Sequence, residues 1–212
     1  MEKPASRNDL RSRELRECRE ELRLAGEDAR ALAAGLTSEQ LWWRPEPDRW
    51  SVGGCLQHLI LAGEEYLEVL DDAIEEGRSR DLLTDGSYRP NLVGRWLPGF
   101  LDPPPGMKVP APRRIRPRSP NRVVPDAGGE AGAFDDRRDD DGPLPDFLAL
   151  RDRFDERLVA ADGLDLGRLR LPSPFVPLIR FDLGSAFRVI AAHERRHLWQ
   201  ARRVREAEAF PG

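Results

Sequence analysis

The clearest pattern in the chain is a set of four segments in which apolar residues recur every three or four positions. In the first segment the apolar or small residues are Leu15, Cys18, Leu22, Ala25, Ala29, Leu32 and Leu36. Arginine and glutamate fill most of the remaining positions. This spacing predicts an amphipathic helix with a narrow buried stripe, and Pro45 and Pro47 prevent it from continuing.

The second segment predicts a longer helix, from about Val52 to Glu76. Ser51 is suited to be its N-cap, and Gly77 is expected to end it as a C-cap. Its apolar residues form two adjacent rows rather than one, so the predicted buried face is broad. This helix is therefore expected to contact more than one neighbour.

The third and fourth segments lie nearer the C-terminus. The third predicts a helix from about Leu144 to Ala161, with Pro145 in its first turn, and Asp182 is suited to cap the fourth. The inward stripe of the fourth helix consists of Leu183, Ala186, Ile190, His193, His197, Gln200 and Val204. No segment alternates convincingly between apolar and polar residues, so no strand is predicted. The sequence thus predicts an all-α four-helix bundle, a single domain over residues 1–212.

A long connection separates the second and third predicted helices. Residues 78–142 contain the proline-rich run LDPPPGMKVPAPRRIRPRSP and then the glycine-rich and acidic run DAGGEAGAFDDRRDDDG. Only NLVGRWLPGF has the apolar content of a short helix, so we expect an irregular insertion whose last third is poorly ordered. The basic residues from Lys108 to Arg122 carry no interleaved aromatic residues, so we expect them to be solvated or paired with carboxylates.

Composition narrows the choice of partners and of cellular location. Charged residues make up 34% of the 212 residues and the net charge is −4, so no overall field attracts nucleic acid or a membrane. No apolar run approaches the roughly 18 residues that span a bilayer, and we expect a soluble, cytoplasmic protein. Cys18 and Cys55 fall within predicted helices, and we interpret both as small buried hydrophobic residues rather than as a disulfide.

The chain has three histidines, and each falls on an inward stripe. His193 and His197 are one helical turn apart, so their imidazoles can bind a single divalent ion. His58 follows Cys55 by one turn on the inward face of the second helix. Together the three would form a three-nitrogen metal site with an open coordination position. The alternative is three hydrogen-bonded core residues, because the pattern alone does not show that the second and fourth helices are neighbours.

Residues 193–197 also read His-Glu-x-x-His, the helical motif of zinc peptidases. In such an enzyme Glu194 would be the general base, and a third ligand would follow downstream. Here the sixth residue after His197 is Arg203, and the glutamates beyond it lie in the same helix or its end, so they cannot fold back to the metal. A peptidase is therefore a remote alternative, and we interpret Glu194 as an ion-pair partner of nearby arginines.

Two segments resemble the DinB/YfiT-like proteins, a superfamily of four-helix bundles described as metal-dependent enzymes. LTSEQLWWRPEPDRWSVGGCLQHLILAGEEY is similar to the family's tryptophan-serine segment followed by an inward histidine, and AAHERRHLWQARRV resembles its His-x-x-x-His-x-x-Gln motif. The resemblance covers residues 10–76 and 143–207. It implies an up-down-down-up bundle in which three histidines hold a divalent metal, and these map onto His58, His193 and His197.

The resemblance also implies a chemistry. Family members with an assigned activity mostly use a low-molecular-weight thiol such as bacillithiol, mycothiol or glutathione, or isomerise maleylpyruvate with one. A metal held by three neutral imidazoles favours thiolate over thiol, so our leading hypothesis is an S-transferase-like enzyme acting on an electrophilic small molecule. Gln200 is a candidate to orient a ligand histidine or a bound water. Candidates for the pocket wall, although more typical of packing at the bundle end, are Trp42, Trp43, Trp50 and Trp96.

A second hypothesis is a non-catalytic, stress-associated bundle that keeps the metal for its structure, because no side chain is an obvious general base. The acidic net charge and the lack of a DNA-reading helix argue against nucleic acid as a partner. The sequence does not choose among zinc, nickel, iron and copper, since three histidines suit each of them. A homodimer through a face of the bundle is compatible with the sequence but is not required by it.

Overall fold

The computed structural model describes residues 10–85, 87–104, 111–117, 142–176 and 178–212. Within these residues the helices are α1 (Arg13–Ala33), α2 (Ser38–Trp42), α3 (Val52–Ser79), α4 (Leu92–Leu101), α5 (Leu144–Ala161) and α6 (Leu183–Arg205). A single 3-10 turn, Arg113–Ile115, and two short strands, β1 (Arg170–Pro172) and β2 (Arg180–Asp182), complete the described elements. The predicted all-α class is confirmed. No helix among the described residues combines the length and apolar character needed to cross a membrane.

The long helices begin where the sequence supplies a cap. The side chains of Ser12, Ser51 and Asp182 each accept a hydrogen bond from the backbone N–H of the residue three positions further on. Helix α5 instead begins with Pro145 in its first turn, a position that needs no N–H donor. Ser51, Asp182 and Pro145 therefore have the positions predicted for them.

Gly77 does not end α3, and that prediction is wrong. The helix continues to Ser79 with Arg80 as its C-cap, and Gly77 is buried within it. A Cβ atom on Gly77 would lie 2.7 Å from the Cδ1 atom of Leu169. The glycine is needed for the close approach of the chain after α5, not for a left-handed cap.

The prediction that the chain has no strand is also wrong, in the connection between α5 and α6. Strands β1 and β2 pair antiparallel, with Leu171 opposite Phe181. Both side chains are buried in the core. Each strand has three residues, which is too short for an alternating pattern to stand out among the prolines of this segment.

The four long helices pack so that α1 and α3 each contact both α5 and α6. Successive ion pairs join α1 to α6 in the same order along both helices, so these two are parallel: Glu14–Arg188, Glu21–Arg195 and Asp28–Arg202. The pairs between α3 and α5 also run in the same order, Glu64–Arg153 and Asp71–Arg157. Helix α1 is antiparallel to α5, because Arg19 pairs with Asp155 while Ser12, earlier in the chain, contacts Asp162.

The first part of the insertion docks on α6. The Tyr88 hydroxyl donates to the Asp182 carboxylate, and the Asn91 N–H donates to the same side chain over 3.1 Å. Helix α4 then follows α6 as far as Asp102, whose carboxylate accepts from Arg195. The short helix predicted in NLVGRWLPGF is confirmed. The part expected to be poorly ordered, the last third of the insertion, falls almost entirely within residues 118–141, which lie outside the described residues.

A buried ion pair joins α5 to α6 in the interior of the protein. Arg151 donates through Nη1 to the carboxylate of Glu194, and the two side chains are 9% and 3% exposed. The guanidinium also lies over the rings of Phe147 and Phe154, 5.5 Å from each centroid. Burial raises the pKa of Glu194, and the charge of Arg151 opposes that rise. Glu194 is thus an ion-pair residue, as predicted, but its arginine comes from α5.

Removing one member of this pair should destabilise the protein more than removing both. Arg151→Leu or Glu194→Leu leaves a single buried charge and should lower the free energy of unfolding by about 3–5 kcal/mol, whereas the double variant should recover most of that loss. Urea denaturation of the metal-free protein measures the difference. The exposed ion pair between Arg153 and Glu64 supplies the control. Arg153→Leu should lower the free energy of unfolding by less than about 1 kcal/mol. Single variants no less stable than this control would contradict the prediction.

Candidate metal centre

Three imidazole rings meet between α3 and α6. His58 comes from α3, while His193 and His197 come from α6. Each ring offers one nitrogen, and the three nitrogens lie within 4.8 Å of one another. The Nε2 atoms of His58 and His193 are 3.1 Å apart. The structure therefore brings together the three residues that the sequence singled out, and it makes α3 and α6 the neighbours that the pattern alone left open.

Local helix geometry explains how each ring reaches the cluster. His193 and His197 are separated by about one turn of α6, so they project from the same side of the helix. His58 lies on the buried face of α3, between Cys55 and Leu59 in the same apolar row. Because α3 and α6 pack along much of their lengths, these two faces meet.

Carbonyl oxygens orient two of the rings. His58 Nδ1 lies 2.7 Å from the backbone oxygen of Ile115, and His197 Nδ1 lies 3.1 Å from the side-chain oxygen of Gln200. A carbonyl oxygen can only accept a hydrogen bond, so Nδ1 carries the proton in both rings. In a neutral ring Nε2 then keeps its lone pair, which is the arrangement seen in metal-binding histidines. Gln200 thus makes the contact expected of it from the sequence.

The carbonyl that holds His58 belongs to the insertion. Ile115 ends the 3-10 turn and its side chain is buried. The preceding residue, Arg114, pairs with Glu65 of α3 at 3.2 Å and lies over the ring of Phe175. Arg114 therefore has the carboxylate partner expected for the basic run. The role of Ile115 could not be found from the sequence, because a backbone carbonyl has no residue-type signature.

All three imidazoles are neutral at pH 7. Burial lowers the pKa of His58 to about 4. Burial also lowers the pKa of His193, with smaller contributions from the nearby charges of His58 and Arg196. The pKa of His197 is lowered for the same reasons. A neutral ring is the form that binds a metal ion, so burial keeps the cluster competent for metal.

The cluster is covered by Trp50 and is least buried at His193. The Trp50 ring centroid lies 4.7 Å from that of His58 and 5.4 Å from that of His197, nearly parallel to the latter ring. His58 and His197 are buried, whereas His193 is only partly so. Of the three residues, His193 is therefore the one with the most exposed surface.

The other candidate tryptophans have different surroundings. Trp42 packs against the start of α3, where a Cβ on Gly53 would lie 3.0 Å from its ring. Trp43 packs edge-on against Phe210 near the C-terminus, and Trp96 is exposed on α4. Of the four candidates, Trp50 is the one whose ring contacts histidines of the cluster.

Neither Glu194 nor the cysteines belong to the cluster. The carboxylate of Glu194 is bound by Arg151 of α5, so it does not occupy the place that a peptidase's general base takes beside its metal. Cys18 and Cys55 are free and buried, and burial raises the pKa of both thiols. Both are the small buried hydrophobic residues that the sequence predicts, and the structure gives no support to the peptidase alternative.

Acidification should destabilise the metal-free protein. The pKa of His58 is about 4 when folded and about 6.5 when unfolded, so between these values the unfolded chain binds more protons. The stabilisation is therefore present above pH 6.5 and is lost as the pH falls, by about 2 kcal/mol for this residue at pH 4.5. Urea denaturation in the presence of a chelator measures the effect.

A variant with glutamine at residues 58, 193 and 197 is the control for this prediction. It should lose most of the pH dependence between pH 6.5 and 5, where surface carboxylates hardly titrate. A parent protein whose stability stays constant over that range would show that the rings are not held neutral by burial.

The family comparison agrees with this geometry. The profile of the DinB superfamily matches residues 21–201, a range that contains α3, the insertion, most of α6 and all three histidines. No curated protein and no solved structure matches the chain. Because the family match covers well over half of the sequence, the chain belongs to the DinB superfamily.

Proposed function

We propose that this protein is a metal-dependent enzyme in which His58, His193 and His197 hold a divalent ion and a low-molecular-weight thiol attacks an electrophile beside it. The observation that carries the proposal is the meeting of three neutral imidazoles at one place in a DinB-superfamily chain. The parallel and antiparallel contacts of the long helices support the up-down-down-up arrangement expected for such a chain.

The donor set fits a divalent ion. Metal–nitrogen bonds of about 2.0–2.1 Å in a tetrahedral site place ligand nitrogens about 3.3 Å apart. The 3.1 Å separation of the Nε2 atoms of His58 and His193 is close to this value, and the nitrogen that His197 offers lies within 4.8 Å of the other two. Three protein ligands leave a fourth position for a substrate. Imidazoles suit zinc, nickel, iron and copper alike.

The chain's own residues explain how a thiol would react here. When bound, a divalent ion supplies a positive charge that favours the thiolate form of a thiol at neutral pH. The charge of Arg196 acts on both His193 and His197, so a second cation lies near the same place. In the transfer the sulfur forms a bond to an electrophilic carbon, the leaving group departs with its bonding electrons, and the thiol proton goes to solvent. Trp50 shields one side of the cluster from water.

A non-catalytic metal-binding bundle is the second candidate function. The observation in its favour is that the histidine cluster also fastens the insertion to the bundle, through the bond between Ile115 and His58. An ion in such a site would serve to hold α3, α6 and the insertion together. Chelation should then lower the melting temperature strongly, and an added thiol should leave the metal's ligands unchanged.

Metal content tests the ligand set. Protein purified without an affinity tag should carry about one equivalent of divalent metal, and His58→Gln or His193→Gln should carry little. Gln200→Leu should bind metal about 10-fold more weakly, because His197 loses the group that orients it. Gln40→Leu is the matched control, since Gln40 bonds Thr37 and Pro211 instead. A parent protein that stays metal-free after reconstitution, or histidine variants that keep the metal, would contradict the assignment.

Cobalt substitution separates the two candidate functions. If a thiol reaches the metal, adding it to the Co²⁺ protein should change the visible absorption spectrum, because a sulfur ligand enters the coordination sphere. Turnover of thiol with an electrophile should then be lost in folded His197→Gln protein and kept in Gln40→Leu. An unchanged spectrum, or turnover that survives metal removal, would exclude the proposed metal-dependent thiol chemistry and leave the ion at most a structural role.

A further inference from the structure

A pocket adjoins the histidine cluster at the N-terminal end of α3. Its lining residues are Trp42, Arg44, Arg49, Trp50, Ser51, Gly54 and Pro117. Trp50 lines this pocket and also packs against His58 and His197, so the pocket and the cluster share a wall. Pro117 belongs to the same described segment of the insertion as Ile115, whose carbonyl holds His58. The pocket is therefore linked to the histidine cluster directly through Trp50 and, along the chain, through the segment that contains Ile115 and Pro117.

The charged side chains that line this pocket are both arginines. Arg44 and Arg49 supply two guanidinium groups, and the N-terminus of the 28-residue helix α3 adds the positive end of its dipole. Arg44 donates through Nη1 to the oxygen of Pro47, and Arg49 Nε lies 3.6 Å from Glu46 Oε2. A guanidinium has five N–H donors, so these contacts occupy only part of each group's hydrogen-bonding capacity.

The local sequence holds these groups in place. Both arginines lie in the loop between α2 and α3, where Pro45 and Pro47 restrict the backbone. The Trp42 ring rests on the backbone of Gly53, which no larger residue would allow without displacement, because a Cβ there would lie 3.0 Å from the ring. The pocket thus combines two cations on a loop of restricted backbone with two indole walls before any ligand binds.

We propose that this pocket binds a carboxylate of a small-molecule substrate, with Arg44 and Arg49 pairing with the carboxylate and Trp42 and Trp50 flanking the uncharged part. The planar guanidinium group of arginine can form two parallel hydrogen bonds to a carboxylate, and aromatic side chains pack against the adjoining apolar atoms. The assignment of this ligand as a co-substrate of the enzyme rests on the proposed function. The carboxylate belongs either to an acidic thiol or to an acidic electrophile, and the binding itself needs no metal.

Binding to the metal-free protein tests this proposal. S-methylglutathione represents an acidic thiol whose sulfur is blocked, and maleate represents an acidic electrophile. At least one of them should bind at least about 10-fold more tightly than the counterpart whose carboxylates are masked, the diethyl ester of S-methylglutathione or maleamide, since charged hydrogen bonds contribute at this scale. Whichever acid binds identifies the source of the carboxylate, and calorimetric titration gives the affinities.

Variants locate the binding in the pocket. Arg44→Gln and Arg49→Gln should each weaken binding of the acid about 10-fold, and Glu46→Gln should strengthen it, because Glu46 competes for Arg49. Arg80→Gln is the matched control, because Arg80 pairs with Glu76 near the other end of α3. All four variants should melt at the parent's temperature, since the replaced side chains are largely exposed.

Three results would overturn the carboxylate site. These are no binding of either acid at millimolar concentration, equal binding of an acid and its counterpart with masked carboxylates, and affinities that Arg44→Gln and Arg49→Gln leave unchanged. None of them depends on metal or on turnover, so they are distinguishable from a failure of the proposed thiol chemistry, which the cobalt spectrum reports separately.

Discussion

The burial of three imidazoles between α3 and α6 is the constraint on which the rest of this structure depends. A polar ring in a helical core must either find partners or be neutral, because charged and unpaired groups are costly to bury. Here burial keeps the rings neutral, and two carbonyl oxygens accept hydrogen bonds from the Nδ1 atoms of His58 and His197. The same burial that would destabilise a charged histidine therefore leaves a set of nitrogen lone pairs suited to a metal ion.

The insertion is part of the site rather than an appendage to the bundle. It is attached to the start of α6 through Tyr88 and to the middle of that helix through Asp102. It then returns to α3, where Ile115 holds His58 and Pro117 closes the neighbouring pocket. A proline-rich segment suits this role, because it can supply carbonyl oxygens and apolar cover without requiring a regular hydrogen-bonded partner.

The direction in which each side chain leaves α6 explains why a peptidase-like motif occurs without peptidase geometry. Successive residues of a helix project about 100° apart, so Glu194 does not share the face of His193 and His197. It reaches Arg151 on α5 instead, and the histidines reach α3. The third nitrogen comes from His58, not from the residues downstream that a zinc peptidase would use. The identity of the neighbouring helix decides which chemistry is available to the same five residues.

The sequence by itself determined the four long helices, the N-caps of α3 and α6 and the inward position of each histidine, because these features follow from spacing within one helix. It also identified the contact between Gln200 and His197, which are neighbours on one helical face. Only the tertiary structure decided that α3 lies beside α6, that Gly77 serves packing, that two strands form before α6, and that Ile115 and Trp50 border the cluster. These features depend on contacts between segments far apart in the chain and on backbone atoms that every residue has. No local sequence pattern can therefore predict them.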